Sequence, residues 1–369
     1  MLQLRNRVAP GEAGVAGNLA FLSWLLFGEV ECEGWGQIEN LAAVCDPKDF
    51  SNLLDLASSH HVIMRAFPRL IAKMVASGNS TAEGVEKALE TERSRITTAL
   101  SFLAAICQEL GTAGDVVVIK SLDHWPDLGS DLDLYTNANP ADVAAILQRH
   151  FQAKMCAPSW GDRLASKCNF VVPGLPELVE VHIGRLGQTG EQVALTRSLV
   201  LRSAKASFGG HDFRIPAVED QIIVGTLQRM YRHFYFRLCD IADSARLIES
   251  GVIDYGYLES FASSIGLWGG VSSYLAVVED FVQSYCEGKV ALPPAVTTAA
   301  QISGADITFK RKFIRIPLMP QAARLYGKEW MTLLRRGELE NALRLTLLPG
   351  LAVAAALAAK ATGSTTGIW

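Results

Sequence analysis

At 369 residues the chain is long enough for roughly two domains, and with 49% apolar and 20% charged residues it has material for a large buried core and is not disordered. Its 34 Lys and Arg against 38 Asp and Glu, a formal charge of −4, exclude a protein that coats duplex DNA, while leaving room for a local basic patch. Seven dispersed Cys with no Cys-x-x-Cys pair read as reduced thiols of a cytoplasmic chain and offer no zinc-type ligand spacing.

Arg5 and Arg7 followed by Leu19–Phe27 lack the cleavage pattern of an export signal. Residues 1–110 read as a helical region. Phe50–Met74 follows helical apolar spacing, with Pro68 expected to kink or restart it. After the hinge Ser77-Gly78-Asn79-Ser80, Thr81–Leu110 reads as one long helix stopped at Gly111. Residues 111–216 read as a compact α/β core. Val116–Ile119 is a short buried strand, and Asp131–Tyr135 alternates as a second. Asn139-Pro140 opens a helix to about Phe151, and Lys167–Val172 and Leu178–Ile183 are further strands. Residues 217–305 return to helix, with Glu219–Glu249 as one helix or two end to end and Tyr257–Glu287 as a pair. Residues 306–369 form a tail, basic at Lys310–Arg315 and then apolar over Leu345–Ala359. That apolar run is shorter than the roughly 20 residues of a bilayer span, so a core-packed or interfacial helix is expected, with peripheral membrane contact as the other reading.

The chemistry concentrates in Gly129-Ser130-Asp131-Leu132-Asp133-Leu134. On a strand Asp131 and Asp133 share a face, and two adjacent carboxylates repel unless a cation sits between them; Mg²⁺ or Mn²⁺, a hard oxygen-seeking ion, is the natural counter-charge. A third acid stands between aliphatics in Val179-Glu180-Val181-His182-Ile183. If the two strands are neighbours, Glu180 joins Asp131 and Asp133 around two metals about 3.5–4 Å apart. Lys120 is either a solvated ammonium at a strand end or a triphosphate contact. His182 orients a carboxylate, touches substrate or is a buried hydrogen-bonded histidine. Arg229 and Arg232, at i, i+3, are candidates to share a phosphate, with ion pairing as the bland alternative. For Arg237 an ion pair with Asp240 is expected, and for Asp243 one with Arg246. Tyr231, Phe234, Tyr235 and Phe236 read as packing. Lys310–Arg315 is a solvated face or a contact for an acidic partner or anionic lipid. His60, His61 and His124 have no ligand partners at useful spacing.

The spacing of these elements resembles the nucleotidyltransferase superfamily related to DNA polymerase beta. Ile119-Lys120-Ser121 stands for the first element, Asp-x-Asp follows ten residues on, and Glu180 is the later acid. The chain is more closely similar to a poorly characterised bacterial family of that superfamily, in which a Lys follows the first strand and a His follows the third acid. Helical residues Glu219-Asp220, Arg229–His233, Arg237 and Asp240–Asp243 match that family loosely. Two departures are Lys120 where the wider superfamily has Gly, and Glu180 in place of the commoner Asp.

The resemblance implies an α+β fold with a small mixed β-sheet core between helical flanks. It also implies transfer of a nucleoside monophosphate from an NTP to an unknown acceptor hydroxyl (small molecule, protein or RNA end), with Asp131, Asp133 and Glu180 as catalytic metal ligands. Lys120, Ser121, Gly129, Ser130, His182 and Arg232 would face the nucleotide. Two rivals remain: a nucleotide-binding or regulatory, antitoxin-like protein with little turnover, and a sugar-nucleotide glycosyltransferase using Asp-x-Asp. The latter lacks its usual run of strands and helices before the motif.

Overall fold

The protein is described by a computed structural model covering residues 13–28, 45–286, 288–347 and 350. Helices α1 (Ala13–Phe27), α2 (Pro47–Ser59) and α3 (Ile63–Ala76) precede the long α4 (Ala82–Leu110). Asp46 starts α2, its carboxylate accepting from the N–H groups of Lys48 and Asp49 at 2.8 Å, with Pro47 at the first helical position. The break expected at Pro68 falls instead at residues 60–62. There His61 takes a left-handed φ of +50°, and buried His60 accepts from Leu238 N–H and donates to the Lys312 carbonyl at 2.7 Å. Pro68 lies inside α3, which holds its course because Ile63, Ala66, Phe67, Leu70 and Met74 are buried along one face.

The sheet follows as β1 (Val116–Val118), β2 (Asp131–Thr136), α5 (Pro140–Phe151), β3 (Lys154–Met155), α6 (Trp160–Ala165), β4 (Lys167–Val171) and β5 (Leu178–Ile183). Asn139 caps α5 as its sequence implies, its side-chain oxygen accepting from Ala141 N–H at 2.9 Å. Strand order is β1-β2-β5-β4-β3, with β2 and β5 parallel and the other neighbours antiparallel. Helix α7 (Val193–Arg202) and the hairpin β6 (Ala204–Phe208)–β7 (His211–Ile215) close this part.

Helix α8 (Val218–Thr226) runs into a π-helical turn, Leu227–His233. Of the two readings of Glu219–Glu249, one helix or two end to end, the chain follows the second, with an interruption between the two helices. Phe234 adopts φ +56°, and Tyr235-Phe236 forms a two-residue strand, β8, before α9 (Leu238–Glu249). Helices α10 (Tyr255–Ser264), α11 (Trp268–Gln283) and α12 (Pro294–Ala299) follow. The basic segment is a hairpin, β9 (Thr308–Lys310) and β10 (Phe313–Arg315), whose second strand pairs with β8. Tyr235 stacks on Phe313 at 4.3 Å, so the interruption is held by ring packing as well as by the ladder. A second π-helical turn (Leu318–Ala322), α13 (Ala323–Arg335) and α14 (Leu339–Thr346) end the described chain. Leu345 packs with Leu333 and Ala342, whereas most of the apolar run beyond it lies outside the described residues.

The fold is therefore mixed α+β, and it has two large apolar cores. One holds the sheet residues Leu132, Leu134, Val179, Val181 and Ile183 against the second half of α4 through Ile96, Leu100, Leu103 and Ile106. The other gathers α1–α3, α8, α9 and α11, and Val117, Ile119 and Tyr135 from the opposite side of the sheet reach into it. Alternation along β1 and β2 thus fastens the sheet between both cores, and the acidic end of β2 faces the seam.

Candidate active-site cleft

The parallel pairing of β2 with β5 sets Asp133 directly opposite Glu180, and Tyr135 opposite His182. With Leu132 and Leu134 drawn into the core, Asp131 and Asp133 share the other face with Glu180 and His182. Burial, then Asp133 and Glu180, pushes the Asp131 carboxyl up to about 6.

Two of the three are already paired. Lys120 Nζ lies against Asp133 Oδ1 and 3.5 Å from Glu180 Oε1, while Lys167 Nζ sits 2.8 Å from Glu180 Oε2 and 3.0 Å from Asp162 Oδ1. His182 Nε2 is 2.9 Å from Glu180 Oε1 and 3.8 Å from Asp133 Oδ1. Burial opposes the charge of Glu180, but Lys120, His182 and Lys167 together hold its carboxyl well below the usual carboxylate range. For Lys120, burial works against the ammonium, and Asp133 and Glu180 outweigh it and raise its pKa. Four carboxylates (Asp131, Asp133, Asp162, Glu180) thus face two ammonium groups. The two negative charges left match one divalent cation, where the sequence reading expected two. An oxygen-rich donor set with one imidazole fits such an ion: Asp133, Glu180 and His182 present ligand atoms within 4.8 Å of one another, with Lys120 Nζ against Asp133 Oδ1.

Lys120 takes φ +61°, a left-handed conformation unusual outside glycine. The chain after β1 therefore turns as a glycine would let it, and the lysine side chain is delivered to the acids. Gly129, by contrast, has room for a Cβ at ordinary contact distances, so the turn before β2 does not require it. Ser130 is exposed. Ser121 is not free for a ligand: its buried hydroxyl donates to Asp131 O at 3.1 Å and accepts from Asp133 N–H at 2.8 Å, bracing β2. The other brace, unread in the sequence, is Arg95 of α4. It pairs with Glu177 and Glu92 and donates to the Leu128 carbonyl at 3.0 Å, holding the turn against α4.

Next to the acids opens a cleft of about 390 Å³ lined by Lys120, His182, Gln188, Leu227, Gln228 and Arg232. A second, of about 450 Å³, shares Lys120 and Gln228 and continues toward His124, Asp243 and Tyr274. The π-helical turn forms part of the wall and separates its two arginines. Arg232 lines the cleft, whereas Arg229 is buried and faces Asp240 Oδ2 at 2.8 Å and the Tyr235 ring, so the two do not share a ligand. Two expected ion pairs are also replaced. Arg237 gives its backbone N–H to Asp240 and its guanidinium to His61, and Asp243 pairs with Arg65 and His124 while Arg246 reaches the Asp123 carbonyl.

Comparison of the chain with protein-family models, with curated proteins and with solved structures finds no match. No described helix is long and apolar enough to cross a membrane.

Proposed function

We propose that the chain is a cytoplasmic, metal-dependent nucleotidyltransferase, moving a nucleoside monophosphate from an NTP to an acceptor hydroxyl with release of pyrophosphate. The observation that carries this reading is the register of Asp133 against Glu180 on adjacent parallel strands, with Asp131 beside them and a cationic cleft alongside. Asp133 and Glu180, with Asp131 beside them on β2, would hold a divalent ion, which would supply charge neutralisation for phosphate oxygens. The chain's own groups divide the remaining work. Lys120 and Arg232 bind the triphosphate, Lys120 exchanging its carboxylate partners for phosphate oxygens. His182 fixes the Glu180 carboxylate through their 2.9 Å contact. Glu180, held ionised by its cations, is a poor proton acceptor. A doubly wound nucleotide-sugar sheet has no counterpart among the described residues, where β2 and β5 are the only parallel pair, so the glycosyltransferase reading loses ground.

A second reading has one observation in its favour. The Lys120 ammonium already lies between Asp133 and Glu180, as it would in a protein that binds nucleotide without metal and without turnover. Calorimetry with each NTP separates the two. Transfer chemistry requires binding that depends on Mg²⁺ and disappears in Asp131→Asn plus Asp133→Asn. Binding that survives chelation of the metal and disappears in Lys120→Met supports the second reading. Absence of NTP binding under both conditions removes both.

A further inference from the structure

Elsewhere along the same seam, three side chains that lie up to 116 residues apart in the sequence meet away from the carboxylate cluster. His124, in the turn between β1 and β2, places Nε2 3.7 Å from Cys239 Sγ in the first turn of α9. The ligand atoms of His124, Cys239 and Asp240 all fall within 4.8 Å of one another, and all three residues are buried. We propose that these residues bind a divalent d-block cation of the Zn²⁺ class, clamping the turn after β1 to α9.

The geometry fits a zinc-class cation. Sulfur and nitrogen ligands at about 2.3 and 2.0 Å from a tetrahedral zinc stand about 3.5 Å apart, close to the 3.7 Å observed. Asp243 Oδ2 lies 2.5 Å from His124 Nδ1. That contact orients the ring so that Nε2 faces the thiol, the carboxylate–histidine support found behind metal-bound imidazoles. Two guanidiniums border the site, one of them on the Asp240 ligand itself. Arg65 is bound by Asp127 at 2.8 Å and Asp243 at 2.6 Å, and Arg229 by Asp240 at 2.8 Å. Thiolate, imidazole and carboxylate together select a zinc-class ion over Mg²⁺, and three protein ligands leave a fourth position for water. An entry path exists, because His124, Asp240 and Asp243 line the 450 Å³ cleft.

Titrating the purified full-length chain with Co²⁺, a spectroscopic stand-in for Zn²⁺, tests the site. The expected result is a thiolate-to-cobalt charge-transfer band that saturates at one equivalent, is displaced by Zn²⁺ and survives Cys168→Ser. It should vanish in Cys239→Ser, a single-atom exchange that keeps the packing, with helical circular dichroism unchanged. Asp243→Asn should weaken Co²⁺ binding by about 10- to 100-fold while leaving the band's shape intact. A wild-type chain without the band, or a Cys239→Ser chain that keeps it, overturns the assignment.

Discussion

Lys120 shows how much one backbone angle decides. Its φ of +61° directs a side chain that would otherwise solvate a strand end into the space between Asp133 and Glu180. Another pair of buried carboxylates is raised rather than held ionised. Glu329 of α13 is buried with Gln192 Nε2 donating to it at 2.5 Å, and burial, then Glu191, raises its carboxyl well above the usual range. Glu191 is raised as well, chiefly by burial, although Gln188 and Thr189 donate to it. Because both folded-state values lie above the unfolded ones, stability is greatest below about pH 4.5 as far as this pair is concerned. It is lost as pH rises through the folded values. Glu329→Gln, which keeps the Gln192 contact, should therefore raise the melting temperature at pH 8 by about 2–4 °C for each kcal/mol relieved and change it little at pH 5. Equal melting shifts at the two pH values would show that the pair is not held against its charge.

Among the elements, α4 couples the two cores. Val85 and Leu89 pack in the helical core and Ile96 through Ile106 in the sheet core, along one 29-residue helix. Unfolding either half should disturb the other. Leu103→Ala, at a fully buried position, is expected to cost about 2–5 kcal/mol and to shift one denaturation transition that circular dichroism and tryptophan fluorescence report at the same urea concentration. Two separated transitions would mean that α4 does not transmit between cores. Long periodic elements such as α4, α5, β2 and β5 were legible in the sequence because a buried face imposes its period on ten or more residues, or an alternation on six. β8 and the π-helical turn before it were not. Two residues carry no period, and Tyr235-Phe236 is a strand only because β10, some 80 residues later, supplies its partner.

Across the whole molecule, the candidate cleft lies where the sheet meets the helical core, and its legibility divides along the same line. Asp131, Asp133 and Glu180 were readable because strand alternation puts acids on one face and aliphatics on the other. Lys120 was readable only as an ambiguity, since nothing local distinguishes a solvated ammonium from one aimed inward. Lys167, Arg95, and the meeting of His124 with Cys239 were invisible, because each depends on which distant element packs alongside. What unites the account is that Asp131, Asp133 and Glu180 accept a divalent cation in spite of Lys120 and Lys167. The most direct measurement is an Mn²⁺ titration, followed by loss of the free-ion electron paramagnetic resonance signal, of the Cys239→Ser chain in which the thiolate site is disabled. The account predicts one bound Mn²⁺ per chain, and none when Asp131→Asn and Asp133→Asn are added. Mn²⁺ left free by the Cys239→Ser chain, or bound equally after both carboxylates are neutralised, would contradict it.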